Sequence, residues 1–371
     1  MTKMKFHPFI IVCLFFIGCA PKNSIKEKEV TAFYVGTYTK KDSKGIYKYA
    51  ISSEGKLSKI GLVAETENPS FLAKSNDGIT LLAVGEVDIN ESGFVKSYAI
   101  ENDTLIFKSE SKSGGANPCF VSINKDNDVL VANYSGGNVG LLHLNSNQKL
   151  SELLDVQQHF GKGTTERQEA PHAHSVWFHP SKDETISVDL GTNQLWFSQL
   201  EKNENTKKLS QPKTFNMEVG AGPRHLDFHP NQEWIYVLNE LDNTVSLLKF
   251  ENDTYNIIQT ISTLPKDFTS YSKAADIHIS KDGKFLYASN RGNDSLVIFE
   301  VNAKNGELKL IDFQPVLGKN PRNFSLSPDN NFLIVANQDT DNMVSFKRNS
   351  ETGKLEFVDE IKAPMPVCIL F

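Results

Sequence analysis

Four residues of this chain have the types to do chemistry together: His174, Arg224, Glu240 and Arg291. His174 or Glu240 could accept a proton near neutral pH if its surroundings tune it. Arg224 and Arg291 are permanent cations able to grip a carboxylate or phosphate and to neutralise a developing oxyanion. Such a set suits acid–base work on a small anionic molecule. The four lie far apart in sequence, so the chemistry depends on a fold that brings them to one place.

That fold is written in an internal repeat. An apolar run ending in a small residue and followed by a polar or Gly-containing turn recurs along the chain. Its copies include Phe33-Tyr34-Val35-Gly36-Thr37, Leu81-Leu82-Ala83-Val84-Gly85, Val129-Leu130-Val131-Ala132-Asn133 and Thr185-Ile186-Ser187-Val188-Asp189. Ile235-Tyr236-Val237-Leu238-Asn239, Phe285-Leu286-Tyr287-Ala288-Ser289-Asn290 and Phe332-Leu333-Ile334-Val335-Ala336-Asn337 complete seven. The column Thr37, Gly85, Asn133, Asp189, Asn239, Asn290, Asn337 is spaced 48, 48, 56, 50, 51 and 47 residues apart. Seven units of that length, with few helical signals, predict an all-β, seven-bladed propeller of four-stranded blades. Most copies follow a proline-led strand and a hairpin turn, as in Pro118-Cys119-Phe120-Val121-Ser122 and Pro321-Arg322-Asn323-Phe324-Ser325. The first copy lacks that partner, and Pro366-Val367-Cys368-Ile369-Leu370-Phe371 supplies it from the other end of the chain. The C-terminal strand therefore closes the ring and removes two sheet edges.

In each hairpin the start of the first strand and the end of the second meet at one end of the blade. One column of residues after the prolines reads Ser70, Cys119, His174, Arg224, Ala275, Arg322 and Val367. The other reads Tyr38, Glu86, Tyr134, Leu190, Glu240, Arg291 and Gln338. One mouth of the central channel thus collects His174, Arg224, Glu240 and Arg291 as the candidate catalytic set. His172, Arg167, His225, Asp276, His278 and Arg322 are candidates for holding substrate. Asp189, Asn239, Asn290 and Asn337 close the second strands and are counted with that set, although such side chains also serve at strand ends by bonding turn amides.

Two longer connections are expected to rise on the same face. Residues 157–175 account for the 56-residue spacing and carry His159, Arg167, Gln168, His172 and His174; residues 264–278 carry Lys266, Asp267, Asp276 and His278. His172 and His174 would point the same way in a strand, but no Cys or carboxylate joins them at a familiar ligand spacing, so no metal is expected. There is no Gly-x-Ser-x-Gly elbow, phosphate loop or dinucleotide fingerprint, and no cofactor is expected.

At 39% hydrophobic and 23% charged residues the composition fits a large folded core, and a formal charge of −6 argues against a nucleic-acid partner. Lys3 and Lys5 precede an apolar run ending Phe16-Ile17-Gly18-Cys19. This resembles a bacterial lipobox, implying a signal peptide over residues 1–18, lipidation at Cys19, a tether over 19–30 and the propeller over 31–371. The expectation is an exported, membrane-anchored lipoprotein that faces the periplasm and meets the membrane only through that lipid. Cys119 and Cys368 fall on non-adjacent blades and are expected to be separate buried thiols.

Pro171-His172-Ala173-His174-Ser175, Gly222-Pro223-Arg224-His225-Leu226, Asn239-Glu240-Leu241-Asp242, Ser289-Asn290-Arg291-Gly292 and Ala336-Asn337-Gln338-Asp339 resemble the seven-bladed lactonase family. The likeness runs from Tyr34 to the C-terminus. That family includes propeller-type 6-phosphogluconolactonases and fungal 3-carboxy-cis,cis-muconate lactonizing enzymes. The resemblance implies a sugar-lactone hydrolase acting on a small anionic lactone or sugar acid, with His174 (or His172), Arg224, Glu240 and Arg291 at the channel mouth. Asp276 stands where the resemblance leads one to expect Glu. An exported chain also departs from the cytoplasmic pathway that a 6-phosphogluconolactonase serves. A non-catalytic envelope propeller that binds a sugar acid or a protein, and a lactone-forming cycloisomerase, stay open as alternatives.

Overall fold

Seven four-stranded antiparallel sheets succeed one another along the chain. They are seen in a computed structural model that describes residues 1–4, 30–203 and 206–371. Cys19 and the rest of the leader lie outside the described residues. The innermost strands of blades two to seven are Leu72–Lys74, Pro118–Ile123, Ala173–Phe178, Pro223–Phe228, Lys273–Ile279 and Pro321–Leu326. Each touches the next around the channel, and Pro366–Leu370 fills the remaining place between blades seven and two. It pairs with Val30–Thr37 in the register Tyr34↔Leu370, Val35↔Ile369, Gly36↔Cys368, Thr37↔Pro366. The ring is closed by the strand the repeat assigned to it. Among the described residues the only helix is one 3-10 turn, Glu166–Gln168.

Second strands such as Asp128–Asn133 and Phe332–Asn337 are buried along their whole length. Both faces of a blade pack on a neighbour, so a continuous apolar run is favoured there over strict alternation. Outer strands such as Leu355–Lys362 are half-buried or exposed beyond their first residue, as befits the rim of the ring. The apolar side chains form seven clusters among the described residues, each straddling two consecutive blades. Cys119 and Cys368 are buried free thiols in blades three and one.

The proline that opens an inner strand follows a residue with positive φ in five blades: Asn68, Asn117, Gly222, Asn320 and Met365. A residue before proline is pushed away from the right-handed helical region. Asn and Gly adopt the left-handed alternative at least cost. The sharp turn this makes delivers the chain from the rim of one blade to the channel wall of the next.

The connection over 159–172 lies on this face, as expected from its length. The segment 264–278 does so only up to Ser272, because Lys273–Ile279 is already the inner strand of blade six. Asp276 and His278 are therefore channel-wall residues and not loop residues.

Candidate active site

Register shifts mark six inner strands near their starts: between Pro118 and Phe120, Ala173 and Ser175, Pro223 and His225, Ala274 and Ile277, Pro321 and Asn323, and Pro366 and Cys368. The residues left unpaired are Cys119, His174, Arg224, Ala275 with Asp276, Arg322 and Val367. A β-bulge turns a side chain out of the pleat alternation, and bulges gather at active sites for that reason. Apart from Ser70, which precedes its strand, the column read from the repeat is thus a column of bulged positions.

Glu240 sits at the centre, just beyond the second strand of blade five, with its backbone N–H donating to Gly222 O at 2.7 Å. Three guanidinium groups converge on its carboxylate. Arg224 Nε is 3.1 Å and Arg291 Nη2 2.8 Å from Oε2, and Arg167 Nη2 donates to Oε1 at 3.2 Å. The first two contacts have ion-pair distances without the alignment of a hydrogen bond. Arg224 Nη1 instead donates to Ala275 O, and Arg291 Nη2 to Ala274 O at 2.9 Å. Burial would raise the Glu240 pKa, but Arg291, Arg224, Arg167 and Lys273 outweigh it and hold it at about 2. Glu240 is therefore a fixed anion that clamps three cations, and its expected alternative role as base does not fit this electrostatics. Burial and the neighbouring Arg291 and Arg322 push Arg224 down to about 9, against Glu240 and Asp276, and it stays protonated at neutral pH.

His174 is buried beside this clamp, its Nδ1 3.8 Å from Cys119 Sγ. Burial and the charges of Arg224, His225 and Arg322 hold its pKa well below the usual imidazole value. At neutral pH it is an uncharged ring, the form that can take a proton. Tyr134, which sequence reasoning placed at the mouth without a role, organises the adjoining wall. Its ring stacks on His172 with centroids 4.5 Å apart and meets His174 edge-on at 5.4 Å, while its hydroxyl accepts from Arg167 Nη2 at 2.9 Å. His172 Nδ1 lies 3.1 Å from Tyr134 O, so this ring is a wall partner of Tyr134. Arg167 is the exposed member of the clamp, its side chain 44% accessible, carried in by the 3-10 turn.

Below Arg224 a polar chain runs along the channel wall. His225 Nε2 is 3.3 Å from Arg224 Nη1, and its Nδ1 is 2.8 Å from Asp276 Oδ1. Asp276 Oδ2 takes His278 Nε2 at 3.1 Å and Asn323 Nδ2 at 2.6 Å. Burial disfavours charge on His278, but Asp276 and Asp227 overcome it and raise the ring to about 9. His225 is lowered to about 4 by burial and Arg224. On the other side of the channel Arg322 lies over the Tyr38 ring, 5.2 Å from its centroid, and Tyr38 Oη donates to both oxygens of Glu86 at 2.9 Å. A narrow cavity of about 10 Å³, room for about one water, is lined by Ser70, Phe71, Cys119, Arg224, His225, Arg322, Asn323 and Val367. A much larger groove of about 770 Å³ follows residues 178–185, at the opposite end of blade four from His174.

Four expected substrate contacts are elsewhere. Asp189, Asn239, Asn290 and Asn337 are fully buried and engaged by the protein itself. Asn290 Nδ2 donates to Thr263 O at 2.8 Å and Asn337 Nδ2 to Val316 O at 3.1 Å; Asp189 takes His159 Nδ1 at 2.7 Å and the backbone N–H of His172 at 2.9 Å. Thr263, Val316 and His159 each follow the outer strand of the preceding blade. These side chains therefore staple one blade's exit to the next blade's second strand through these bonds, with Asn337 Oδ1 left buried and unpaired. Asn239 instead bonds Thr244 and Ser246 within its own blade. Lys273 and Asn323 were missed by sequence reasoning. Lys273 has no proline marker before its strand, and Asn323 acts through pairings visible only once the ring is closed.

A family model described as a seven-bladed β-propeller lactonase matches residues 32–371. A 6-phosphogluconolactonase of Bacillus subtilis is 36% identical over 297 residues, which cover 78% of this chain and 83% of that protein. A crystal structure of a putative 6-phosphogluconolactonase from Bacteroides fragilis superposes with a TM-score of 0.86 at 34% identity, covering 93% of this chain and 98% of that one. The structure of a Pseudomonas aeruginosa periplasmic gluconolactonase does so with a TM-score of 0.86 at 29% identity, covering 92% and 98%. Blade number, ring closure and this match agree: the chain belongs to the seven-bladed β-propeller lactonase family.

Proposed function

We propose that this protein is a hydrolase that opens a sugar lactone to its acid at the mouth formed by blades four to six. The observation that carries the reading is the convergence of a neutral, buried His174 with three guanidinium groups locked around Glu240. Hydrolysis needs a water delivered to the lactone carbonyl, a proton acceptor, and positive charge where the carbonyl oxygen becomes anionic. His174 takes the proton from water as the new C–O bond forms. When the ring C–O bond breaks, the same proton passes to the departing alkoxide oxygen, leaving a hydroxy acid. With Nδ1 turned toward Cys119, the other ring nitrogen is the one available to water. Arg224 and Arg291 supply fixed positive charge in a largely dry site, where it acts more strongly than in solvent. Glu240 keeps these cations in place without quenching them all, since one carboxylate faces three guanidinium groups.

The leader sequence supports a second part of the proposal, that the reaction takes place outside the cytoplasm on a protein anchored through lipidated Cys19. The solved relative described as a periplasmic gluconolactonase is consistent with that location. The activity is tested by adding protein lacking the leader to aldonolactones, phosphorylated and not, and titrating the acid released at constant pH. Acid release above the spontaneous rate is expected; no lactone opened faster than in buffer would overturn the reading.

A further inference from the structure

Consecutive residues of a strand point to opposite faces, yet Arg224 and His225, neighbours on blade five, both reach blade six. The bulge between Pro223 and His225 makes this possible, and it meets the bulge of Ala275 and Asp276. Arg224 Nη1 donates to Ala275 O and lies 3.3 Å from His225 Nε2, while His225 Nδ1 lies 2.8 Å from Asp276 Oδ1. Donor and acceptor at each step follow from the chemistry of the groups. Burial opposes charge on Asp276, but His278 and His225 hold its carboxyl well below the usual range. It also takes His278 Nε2, Asn323 Nδ2 and the Phe324 N–H, as an ionised carboxylate does. An acceptor of that kind puts the ring proton of His225 on Nδ1 and leaves Nε2 bare. A guanidinium has only N–H groups to offer, so Arg224 Nη1 donates to that bare nitrogen. The ring is 4% exposed and meets Phe71, Phe120 and His174 edge-on at 6.1, 5.4 and 5.4 Å, which holds it in this orientation.

We propose that His225, fixed by Asp276, is the positioning residue for Arg224 and aims its guanidinium at the lactone oxygen that becomes anionic. This rests on the lactonase reading and adds to it the residues that set the direction of one catalytic cation. Glu240 does not set that direction by itself. Its contact with Arg224 Nε, at 3.1 Å, lacks the alignment of a hydrogen bond, and Nε is left without a hydrogen-bond partner. With Nη1 tied to Ala275 O and to His225 Nε2, the guanidinium plane is fixed. Its Nη2, to which no residue is hydrogen-bonded among those described, is left to meet the substrate. A neutral imidazole suits this task better than a second carboxylate, because it orients the cation without cancelling its charge. Donors that are already aimed stabilise an oxyanion with no reorganisation at the moment of reaction. His225 therefore acts on turnover through Arg224, without touching the substrate.

The test measures kcat and KM of the chain without its leader on an aldonolactone. Removing an oxyanion donor outright costs about 10²–10³ in turnover, so a donor that is only misaimed should cost about tenfold to a hundredfold. His225→Leu, close in size but with no acceptor, should lower kcat by that factor and leave KM nearly unchanged, the mark of an interaction made in the transition state. His225→Gln, whose side-chain oxygen can stand in for Nε2, should restore part of the loss. In an Arg224→Met background, His225→Leu should cost no further kcat, because its effect passes through Arg224. A folded His225→Leu variant with undiminished kcat, or one that loses the same factor with and without Arg224, overturns the proposal. Should His225→Leu fail to fold, nitrogen NMR of the histidine-labelled wild type decides it, with the His225 signals assigned by their loss in His225→Gln. An Nδ1–H tautomer at pH 7 is expected, and an Nε2–H or doubly protonated ring overturns the assignment. If the wild type opens no lactone, the hydrolase reading fails on its own. Crystal structures then test the positioning: an Arg224 guanidinium displaced in His225→Leu supports it, and one that has not moved overturns it.

Discussion

Replacing Glu240 with Gln separates a clamp from a base. In the clamp, the Glu240 and Arg224 side chains are 3% and 2% accessible and Arg291 is 8% accessible, so removing the carboxylate leaves two buried cations without their counter-ion. Breaking a buried pair in this way costs about 3–5 kcal/mol. Arg167, 44% accessible, adds little because water screens its contact. At roughly 2 °C per kcal/mol for a chain of this size, Glu240→Gln should lower the Tm by about 6–10 °C at pH 7. The pH dependence gives a second readout. A carboxylate lowered from 4.5 to about 2 contributes about 3 kcal/mol of stability above pH 4.5, lost as pH falls through 2. Acid unfolding of the wild type should therefore steepen between pH 4.5 and 2, and the variant should lack that component. Differential scanning calorimetry across this range measures both. A variant that melts within 1 °C of the wild type while losing turnover would refute the clamp and return Glu240 to the role of base.

Deleting residues 366–371 removes the inner strand of blade one and strips the buried partners of Tyr34 and Val35. The truncated chain should be unfolded or aggregated by circular dichroism and light scattering, and unchanged melting would contradict ring closure. His278 is raised from 6.5 to about 9 by Asp276. Its contribution of about 3 kcal/mol is present below pH 6.5 and lost as pH rises through 9. His278→Gln should flatten the decline in Tm over that interval, and an identical decline would rule out the pairing. Cys19→Ser should move the protein from the membrane fraction to the soluble periplasmic fraction; a wild type already soluble there would exclude the lipid anchor.

The ring was legible because the repeat places chemically similar runs at matched spacing, and because the orphan first strand and the C-terminal Pro366–Leu370 strand complement one another. The column after each proline was legible for the same reason, and the bulges at His174, Arg224 and Arg322 explain why that column leaves the pleat. Repetition was also what misled at Asn290, Asn337 and Asp189. These sit at one repeat position because their blades use it to staple the exit of the blade before, a structural demand that looks like a functional ring when only residue types are compared. Glu240 shows another limit. A carboxylate among arginines in sequence says nothing of how many reach it, and its role changes from base to clamp once Arg167, Arg224 and Arg291 are all seen to converge. Nor does residue type show that Arg224 is one of the largest fully buried side chains.

The most direct test of the account is the rate of acid release from an aldonolactone by the wild type and by His174→Gln. His174 is a neutral ring beside the clamp, and among the described residues its side chain makes its polar contact with the Cys119 thiol, so the exchange should leave the fold intact. The account predicts wild-type hydrolysis well above the spontaneous rate and a fall of about 10²–10⁴-fold in kcat for the variant, with a Tm within a few degrees. A wild type no faster than buffer, or a folded His174→Gln variant with undiminished kcat, would contradict it.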